Sequence, residues 1–340
     1  MKKTLIIFIS VAMTLLALSA QSVSAGGQSF AKIVPALDGA PPEGFTIGKG
    51  SNAYNGSIDG SIYKVNLRNG QGEILVPAEP DFDWETECHK LGMRVDPRSN
   101  YLFVAGCING DAYVFDADSG DEIMKYQLAP QYESTINDIA ITQDAVYFTD
   151  FAQPFIYHLP LSKNGRIPGD EDAATAIPLT GDFEVGDNNF GAFANGIVAT
   201  PDGKTLIVGN SGTSKIFRVD PGTGYADEII VSPPLVGFPA GFQDALILRD
   251  GVLFVLTPDA SPTYPPVDLV QVVVLAEDML TGTLVGSIID SDMDGVASGA
   301  FHGDSLYVNN ARYWDYPGCL PEPDGCTEYW VTKLNIYDLE

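Results

Sequence analysis

Residues 195–209 have the sequence NGIVATPDGKTLIVG, in which a short apolar run leads through a Pro-Asp-Gly turn into a second apolar run. Apolar runs on both sides of such a turn predict two antiparallel strands. The same pattern recurs in five other segments: PEGFTIG (42–48), KLGMRVDPRSNYLFV (90–104), INDIAITQDAVYF (136–148), QDALILRDGVLFV (243–255) and ASGAFHGDSLYV (297–308). The chain is therefore built from a repeated unit.

The period of the repeat indicates the fold class. The segments are 46 to 58 residues apart when they are aligned on Glu43, Leu91, Asn137, Asn195, Asp244 and Ser298. Periods near fifty with several short strands each are typical of propeller blades. We therefore predict an all-β protein, a six-bladed β-propeller with four-stranded blades around a central channel. Residues 165–187 are rich in Gly, Asp and Pro and are predicted to form a surface loop.

The first 25 residues have the features of a secretory signal. Lys2 and Lys3 precede an apolar run, and Val23-Ser24-Ala25 matches a small-residue cleavage site. We predict a signal peptide at residues 1–25 and a single propeller domain at residues 26–340. The mature protein is expected to be secreted or periplasmic, without insertion into the membrane once the signal is removed.

The charge and the cysteines limit the partners and the compartment. A formal net charge of −27 disfavours nucleic-acid binding, since such proteins carry a basic surface. The four cysteines suit an oxidising compartment. An antiparallel strand pair would bring Cys88 and Cys107 together, and Cys319 and Cys326 enclose a short Pro-rich loop. We predict these two bridges from three possible connectivities, and regard a zinc site as the weaker alternative because no C-x-x-C pair is present.

The aligned positions include candidate metal ligands. Equivalent residues of a closed ring converge on its axis, which would bring together Glu43, Asn137, Asn195 and Asp244. Two carboxylates and two amides form a hard-oxygen set that suits calcium or another divalent cation. The alternative is that these residues only cap the turns before their strands. A separate segment, residues 290–295 (DSDMDG), begins like a calcium loop, but Phe301 occupies the position of the expected Glu, so an ordinary acidic loop is favoured.

On these residues the chain resembles the senescence-marker-protein/gluconolactonase group, which includes regucalcin and has paraoxonase and strictosidine-synthase-like proteins in its wider circle. The resemblance is carried by Pro42-Glu43-Gly44, Asn137-Asp138, the stretch 195–203 and Asp244 before a strand. It implies a propeller over nearly all of the mature chain. It also implies that Glu43, Asn137, Asn195 and Asp244 bind a divalent cation, commonly calcium, at the floor of the central pocket.

Residues near the aligned positions are candidates for the substrate pocket and for catalysis. Strand alternation places His89, Thr135, Phe193 and Phe242 on the channel side, where the two Phe side chains either hold an apolar substrate or plug the channel. Leu91, Asn137 and Ser298 would also face substrate. The candidate catalytic residues are His89 and Asp244, with Asp138 as an alternative base.

Two functions from different classes remain open on the sequence alone. One is a calcium-dependent hydrolase of lactones or related esters, of the gluconolactonase type, acting on a small molecule. The other is a non-catalytic propeller that binds a small molecule or a protein partner, because a fold alone does not determine function.

Overall fold

The computed structural model describes residues 30–36, 39–83, 86–184, 193–237, 243–259, 267–312 and 328–339. These residues form strands and turns, and none of their segments is a helix that is long and apolar enough to cross a membrane. The predicted signal peptide, Phe242, and the predicted bridge between Cys319 and Cys326 lie outside the described residues.

Twenty-six short strands make up the described fold. In chain order they are β1 (Ile33–Pro35), β2 (Pro42–Ile47), β3 (Asn52–Ser57), β4 (Ile62–Asn66), β5 (Gly72–Val76), β6 (Met93–Asp96), β7 (Tyr101–Ala105), β8 (Asp111–Asp116), β9 (Glu122–Gln127), β10 (Ile136–Ile141), β11 (Ala145–Asp150), β12 (Phe155–Pro160), β13 (Thr175–Pro178), β14 (Thr180–Gly181), β15 (Ala194–Ala199), β16 (Leu206–Asn210), β17 (Lys215–Val219), β18 (Tyr225–Glu228), β19 (Ile230–Ser232), β20 (Leu246–Arg249), β21 (Val252–Thr257), β22 (Leu269–Leu275), β23 (Thr281–Ile288), β24 (Val296–His302), β25 (Ser305–Asn310) and β26 (Trp330–Asn335).

The strands form six sheets, which confirms the predicted six-bladed propeller. Blades 1 to 3 are the sheets β2–β5, β6–β9 and β10–β13. Blades 4 and 5 are β15–β18 and β20–β23, each with a fifth, parallel strand, β14 or β19, at its outer edge. Blade 6 consists of β24, β25, β26 and β1, so the first strand of the chain pairs with the last and closes the ring. The remaining sheet edges of a closed propeller are short and protected.

The predicted loop at residues 165–187 contains two strands, β13 and β14, within its described part. The prediction of an entirely irregular loop was therefore wrong. Every residue of β13 and β14 is exposed or half-buried. An outermost strand lacks the alternation of apolar and polar residues that identifies a strand with a buried face.

Each innermost strand has a β-bulge at its start, and this feature builds the channel. Two residues of the innermost strand face one residue of its neighbour at 137–138, 195–196 and 297–298, and one extra residue, Glu43, enters the ladder of blade 1. In blades 2 and 5 the backbone hydrogen bonds show the same arrangement at 91–92 and 244–245. A bulge bends the strand and redirects its side chains. We call this bulged end the upper end of the channel and the opposite end the lower end.

Small residues occupy the second bulge position in every blade except blade 3, which has Asp138, because neighbouring blades approach closely there. A Cβ atom added to Gly44 would lie 2.2 Å from the carbonyl oxygen of Leu91, and one added to Gly92 would lie 2.6 Å from that of Asn137. The amide of Gly92 also donates to the Asn137 carbonyl at 2.8 Å. The bulges of successive blades therefore contact one another directly around the axis.

The apolar core lies between the blades, where the faces of adjacent sheets pack together. One cluster joins blades 2 and 3 through residues such as Phe103, Ile139 and Phe148, all fully buried. Close to it, the disulfide between Cys88 and Cys107 confirms that predicted bridge. Cys107 also forms a backbone bridge with Ile136 at the start of β10, so the covalent link supports the upper end of blades 2 and 3.

Candidate functional site

The first bulge position of each blade is filled in ring order by Glu43, Leu91, Asn137, Asn195, Asp244 and Ala297. This order differs from the sequence alignment in blade 6, where Ser298 is the second bulge residue and corresponds to Asp138. The backbone contacts agree with this register. The amide of Asp138 donates to Thr149 Oγ1, and the amide of Ser298 donates to Asn309 Oδ1. The sixth segment has to be shifted by one residue because Gly299, not Ser298, resumes the strand ladder.

Asn195 and Asp244 form the best-defined pair at the upper end. Asn195 is buried, and its Nδ2 donates to Asp244 Oδ1 at 3.2 Å and to Ser211 Oγ at 3.0 Å. Ser211 Oγ in turn donates to the carbonyl of Gln243, the residue before Asp244. The amide of Asn195 is thereby fixed in one orientation, which directs its carbonyl oxygen away from both acceptors.

The carboxylate of Asp244 is in an unfavourable environment for a negative charge. Burial raises its pKa well above the ordinary value, and the nearby charge of Glu43 raises it further. The hydrogen bond from Asn195 partly opposes this effect, and the charge of Asp138 adds to it. Part of the Asp244 surface is accessible although protein surrounds the carboxylate, which is the situation expected for a group lining a narrow channel. A proton or a cation would relieve the repulsion.

The donor set at the upper end fits a hard cation. Asn195 Oδ1 is buried and has no hydrogen-bond partner among the described residues, so an oxygen ligand is available next to Asp244. The described residues contain no group of three or more His, Cys, Asp or Glu side chains arranged to hold a metal ion. A site at this end would therefore depend on amide oxygens as well as on two carboxylates, a mixture that calcium accepts and zinc does not favour.

The other two predicted ligands occupy bulges of the same ring. Glu43 is half-buried, and its negative charge contributes to the raised pKa of Asp244. Asn137 is 8% exposed, and its backbone carbonyl accepts the hydrogen bond from the amide of Gly92. The described contacts thus join Asn195 to Asp244. Glu43 acts on this pair through its charge, and Asn137 is related to it by its equivalent bulge position.

His89 contacts the connection between blades 1 and 2. Its Nδ1 lies 3.0 Å from Asn109 Nδ2, its Nε2 lies 3.4 Å from Glu87 Oε2, and its ring packs near Phe82. The imidazole is therefore held on both nitrogens by neighbours outside the bulge ring. None of these contacts involves Asp244, the other predicted catalytic residue.

The predicted pocket residues differ in their surroundings. Leu91 is buried in the cluster between blades 2 and 3, and Ser298 is buried with its hydroxyl 3.5 Å from the carbonyl of Phe45. Thr135 is half-buried and donates its amide to Asp150 Oδ1 at 2.9 Å. Phe193 is half-buried and packs against the cluster between blades 3 and 4. It precedes β15, so the alternation of that strand does not determine its direction.

Sequence reasoning missed Arg94, which lies below the bulge ring. Its Nη2 is 3.5 Å from Asp138 Oδ1, and its Nη1 donates to the carbonyls of Met93 and Phe45 at 2.8 and 3.4 Å. The guanidinium thus spans blades 1, 2 and 3. Asp138 Oδ2 accepts from the amide of Ile197 in blade 4 at 3.1 Å. The signal was present in the sequence, since the equivalent positions of the other blades are uncharged.

The acidic segment 290–295 is bound by cationic side chains. Lys32 forms ion pairs with Asp290 and Asp292, and Arg312 pairs with Asp294 at 2.8 Å. All three Asp side chains of this segment thus have a cationic neighbour.

Comparison with known proteins supports the fold. No protein-family model matches the chain, and no curated protein matches it significantly. Among solved structures, the calcium-binding protein regucalcin from Agrobacterium tumefaciens is 16% identical with a TM-score of 0.52, covering 89% of this chain and 94% of that one. The RRP9 WD40 repeats are 11% identical with a TM-score of 0.57, covering 92% and 100%. A protein from Lactobacillus plantarum is 15% identical with a TM-score of 0.53, covering 81% and 80%. Because these identities are low, the chain shares the propeller fold with all three, and the likeness extends no further.

Proposed function

We propose that the chain is a divalent-cation-dependent hydrolase of lactones or related esters, of the gluconolactonase type, and that calcium is the natural cation. The observation that carries this proposal is the pair formed by Asn195 and Asp244. A buried carboxylate whose pKa is raised by burial and by Glu43 lies beside a buried amide oxygen without a hydrogen-bond partner among the described residues.

Glu43, Asn137, Asn195 and Asp244 would hold the cation. Bound there, a divalent cation would polarise an ester carbonyl and lower the pKa of a water molecule. The residues of the chain contribute orientation and charge. Ser211 and Asp244 fix the Asn195 amide, and Asp244 would hold the cation as a carboxylate. The two carboxylates balance the two positive charges of the ion, so that the occupied channel is close to neutral at this level.

The sequence resemblance and the export signal set the context of this activity. The resemblance to the gluconolactonase group is carried by the same four residues, and regucalcin, a calcium-binding protein, shares the fold. We infer a secreted or periplasmic enzyme with a single propeller domain after cleavage near Ala25. The disulfide between Cys88 and Cys107 is consistent with an oxidising compartment.

The test is the hydrolysis of a lactone panel by the mature protein with added calcium and with a chelator. We expect turnover that the chelator abolishes and that Asn195→Ala and Asp244→Ala each reduce by about 100-fold or more, as for groups that stabilise a transition state. Asp304→Ala is the matched control, because Asp304 is an exposed carboxylate paired with Arg249. Turnover that persists in both Ala variants would overturn the proposal.

A second candidate is a non-catalytic propeller that binds a small molecule or a protein partner. It is favoured by the contacts of His89, whose nitrogens are engaged by Asn109 and Glu87. Among the described residues, this leaves the carboxylates as the candidate bases of the channel. Absence of turnover over the whole panel, together with stabilisation by one compound in a thermal-shift screen, would favour this function.

A further inference from the structure

The lower end of the channel contains a cavity of about 670 Å³ that is separate from the bulge ring. Its wall is made of the final residues of the innermost strands of blades 2 to 6, together with Lys163 from the connection after β12. Ile141, Leu248 and Phe301 contribute to this wall with the parts of their side chains that are not packed into the clusters between blades. A concave apolar cavity of this volume with few polar groups is the usual form of a small-molecule site.

The polar groups of this cavity are mainly cationic. Arg94 lines the inner part of the cavity, and Lys163 lies exposed at the rim. Arg98 is also at the rim, but its guanidinium is bound to Asp96 at 2.9 Å and to the carbonyls of Gln143 and Thr142. The acidic member of the lining, Asp96, is thus neutralised locally by Arg98. Arg94 likewise has the carboxylate of Asp138 at 3.5 Å, and the exposed Lys163 adds a further cation to the lining.

Arg94 retains capacity for a ligand. A guanidinium has five N–H donors, of which Nη1 uses two on the carbonyls of Met93 and Phe45 and Nη2 directs one towards Asp138. Its side chain is 19% exposed. A planar donor group at the inner end of an apolar cavity is suited to a carboxylate, whose two oxygens it can bind together.

We propose that the lower end of the channel binds an organic carboxylate with an apolar chain of medium length. The carboxylate contacts Arg94, and the chain lies along Ile141, Leu248 and Phe301 towards the rim, where Lys163 attracts the anion from solution. This site is distinct from the proposed hydrolytic site, since none of the residues that line it occupies a bulge position.

The test measures binding of octanoate to the mature protein by calorimetry in the presence of a chelator, so that a carboxylate cannot bind through a cation at the upper end. 1-Octanol, octylammonium and acetate are the comparison ligands. We expect octanoate to bind about tenfold or more tightly than any of them, since it alone combines a negative charge with the apolar chain. Equal affinity for octanoate and 1-octanol would overturn the assignment of an anion site, and absence of octanoate binding would overturn the site itself.

Variants locate the site within the channel. Leu248→Asp should weaken octanoate binding by about tenfold or more, because it introduces a negative charge into the apolar wall. Lys163→Ala should weaken binding by about threefold, as expected for an exposed charge. Lys204→Ala, at another exposed lysine, and Asn195→Ala, at the upper end, should leave the affinity unchanged. If Asn195→Ala weakens binding and Lys163→Ala does not, the ligand binds at the upper end and the proposal fails. Should Leu248→Asp not fold, the ligand series and Lys163→Ala still decide the question.

Discussion

At the upper end of the channel the innermost strands present carboxylates and amides, whereas at the lower end the same strands present aliphatic side chains and a few cations. Glu43 and Asp244 lie at the upper end with a raised pKa for Asp244. Arg94 and Lys163 line the lower cavity. The backbone accounts for part of this difference. The bulges at the upper end redirect side chains towards the axis, and the regular ladder below them directs side chains into the spaces between blades.

The difference between the two ends shows that a propeller channel can hold two chemically distinct compartments. Arg94 and Asp138 lie between them, and their contacts extend over blades 1 to 4. Arg94 contacts Asp138 on the side of the acidic upper end. The N–H groups of Arg94 that do not take part in these contacts are the ones proposed to bind a ligand at the lower end. Substitutions at either end, or at Arg94 and Asp138 between them, should show how far the two ends differ in calcium affinity and in their contribution to stability.

The largest effect is expected from loss of a carboxylate at the upper end. Asp244→Ala should lower calcium affinity by about 1000-fold, or about 4 kcal/mol, because it removes one ligand and one of the two balancing charges. Leu248→Ala at the lower end is the matched control and should leave calcium affinity unchanged. Calorimetric titration of both variants measures the difference. Equal loss in the two variants would show that the upper end is not a distinct cation site.

The second-largest effect is expected in the pH dependence of stability, and Asp268 is its main cause. Asp268 is buried, and burial raises its pKa from 3.8 to about 6, although the amides of Asp259 and Val296 donate to it. Asp294 adds a smaller repulsion. The folded state therefore holds this proton more tightly than the unfolded state. The stabilisation that results is fully present below about pH 4 and is lost as the pH rises to about 6.

The corresponding free energy is roughly 3 kcal/mol for a pKa change from 3.8 to about 6. Chemical denaturation between pH 4 and pH 7 in chelator should show this decrease for the wild type and a smaller decrease for Asp268→Asn. The substitution also weakens the hydrogen bonds from the amides of Asp259 and Val296, but this loss is the same at every pH. Comparing the slopes of stability against pH therefore removes it. Identical slopes for wild type and variant would contradict the assignment of a raised pKa to Asp268.

Replacing Arg94, which lies between the two ends, should lower the free energy of unfolding by about 2 kcal/mol. Arg94→Met leaves the buried carboxylate of Asp138 without its cation, which costs about 3–5 kcal/mol for a fully buried pair, and less here because Arg94 is partly exposed. Asp138→Asn in the same chain should recover part of the loss, and the double-mutant cycle measures the coupling. Lys204→Met, which breaks an exposed pair with Asp202, should change the free energy of unfolding by less than about 0.5 kcal/mol. Additive effects at Arg94 and Asp138 would show that the two side chains do not interact.

The sequence predicted the fold because the repeat appears in every blade. Apolar runs joined by turns recur six times, and closely approaching blades require a small residue such as Gly44 or Gly92 after the first bulge residue. The sequence did not determine the register in blade 6, because a bulge adds one residue that a simple alignment does not detect. Ser298 was therefore aligned where the ladder places Ala297.

Other features depended on contacts between residues distant in sequence. Phe193 packs into a cluster between two blades, and the strand pattern alone could not distinguish this position from the channel wall. Arg94 contacts the backbone carbonyl of Phe45 in blade 1 and the carboxylate of Asp138 in blade 3. Its position in blade 2 was visible as a charge where the other blades have none, but its partners were not. The outer strands β13 and β14 were missed because both of their faces are in contact with solvent.

The smallest expected effect concerns the link between blades 3 and 4 at the upper end. Thr149 Oγ1 accepts from the amide of Asp138 at 3.0 Å and donates to the carbonyl of Asn195 at 2.7 Å, and Thr149 is fully buried. Thr149→Val keeps the shape of the side chain and removes both hydrogen bonds, which should cost about 1 kcal/mol or slightly more in the free energy of unfolding. Thr180→Val, in the exposed strand β14, is the matched control and should change stability by less than about 0.5 kcal/mol.

The same variant tests whether the upper end acts as one unit. Because Thr149 contacts the backbone of Asn195, its loss should lower calcium affinity severalfold in the wild-type background and have no further effect in Asn195→Ala. Such non-additivity is expected only for residues that share an interaction. An equal decrease in both backgrounds would mean that Thr149 stabilises the ring without positioning the ligand. The upper end would then owe its order to the six bulges, with no contribution from the hydrogen bonds between them.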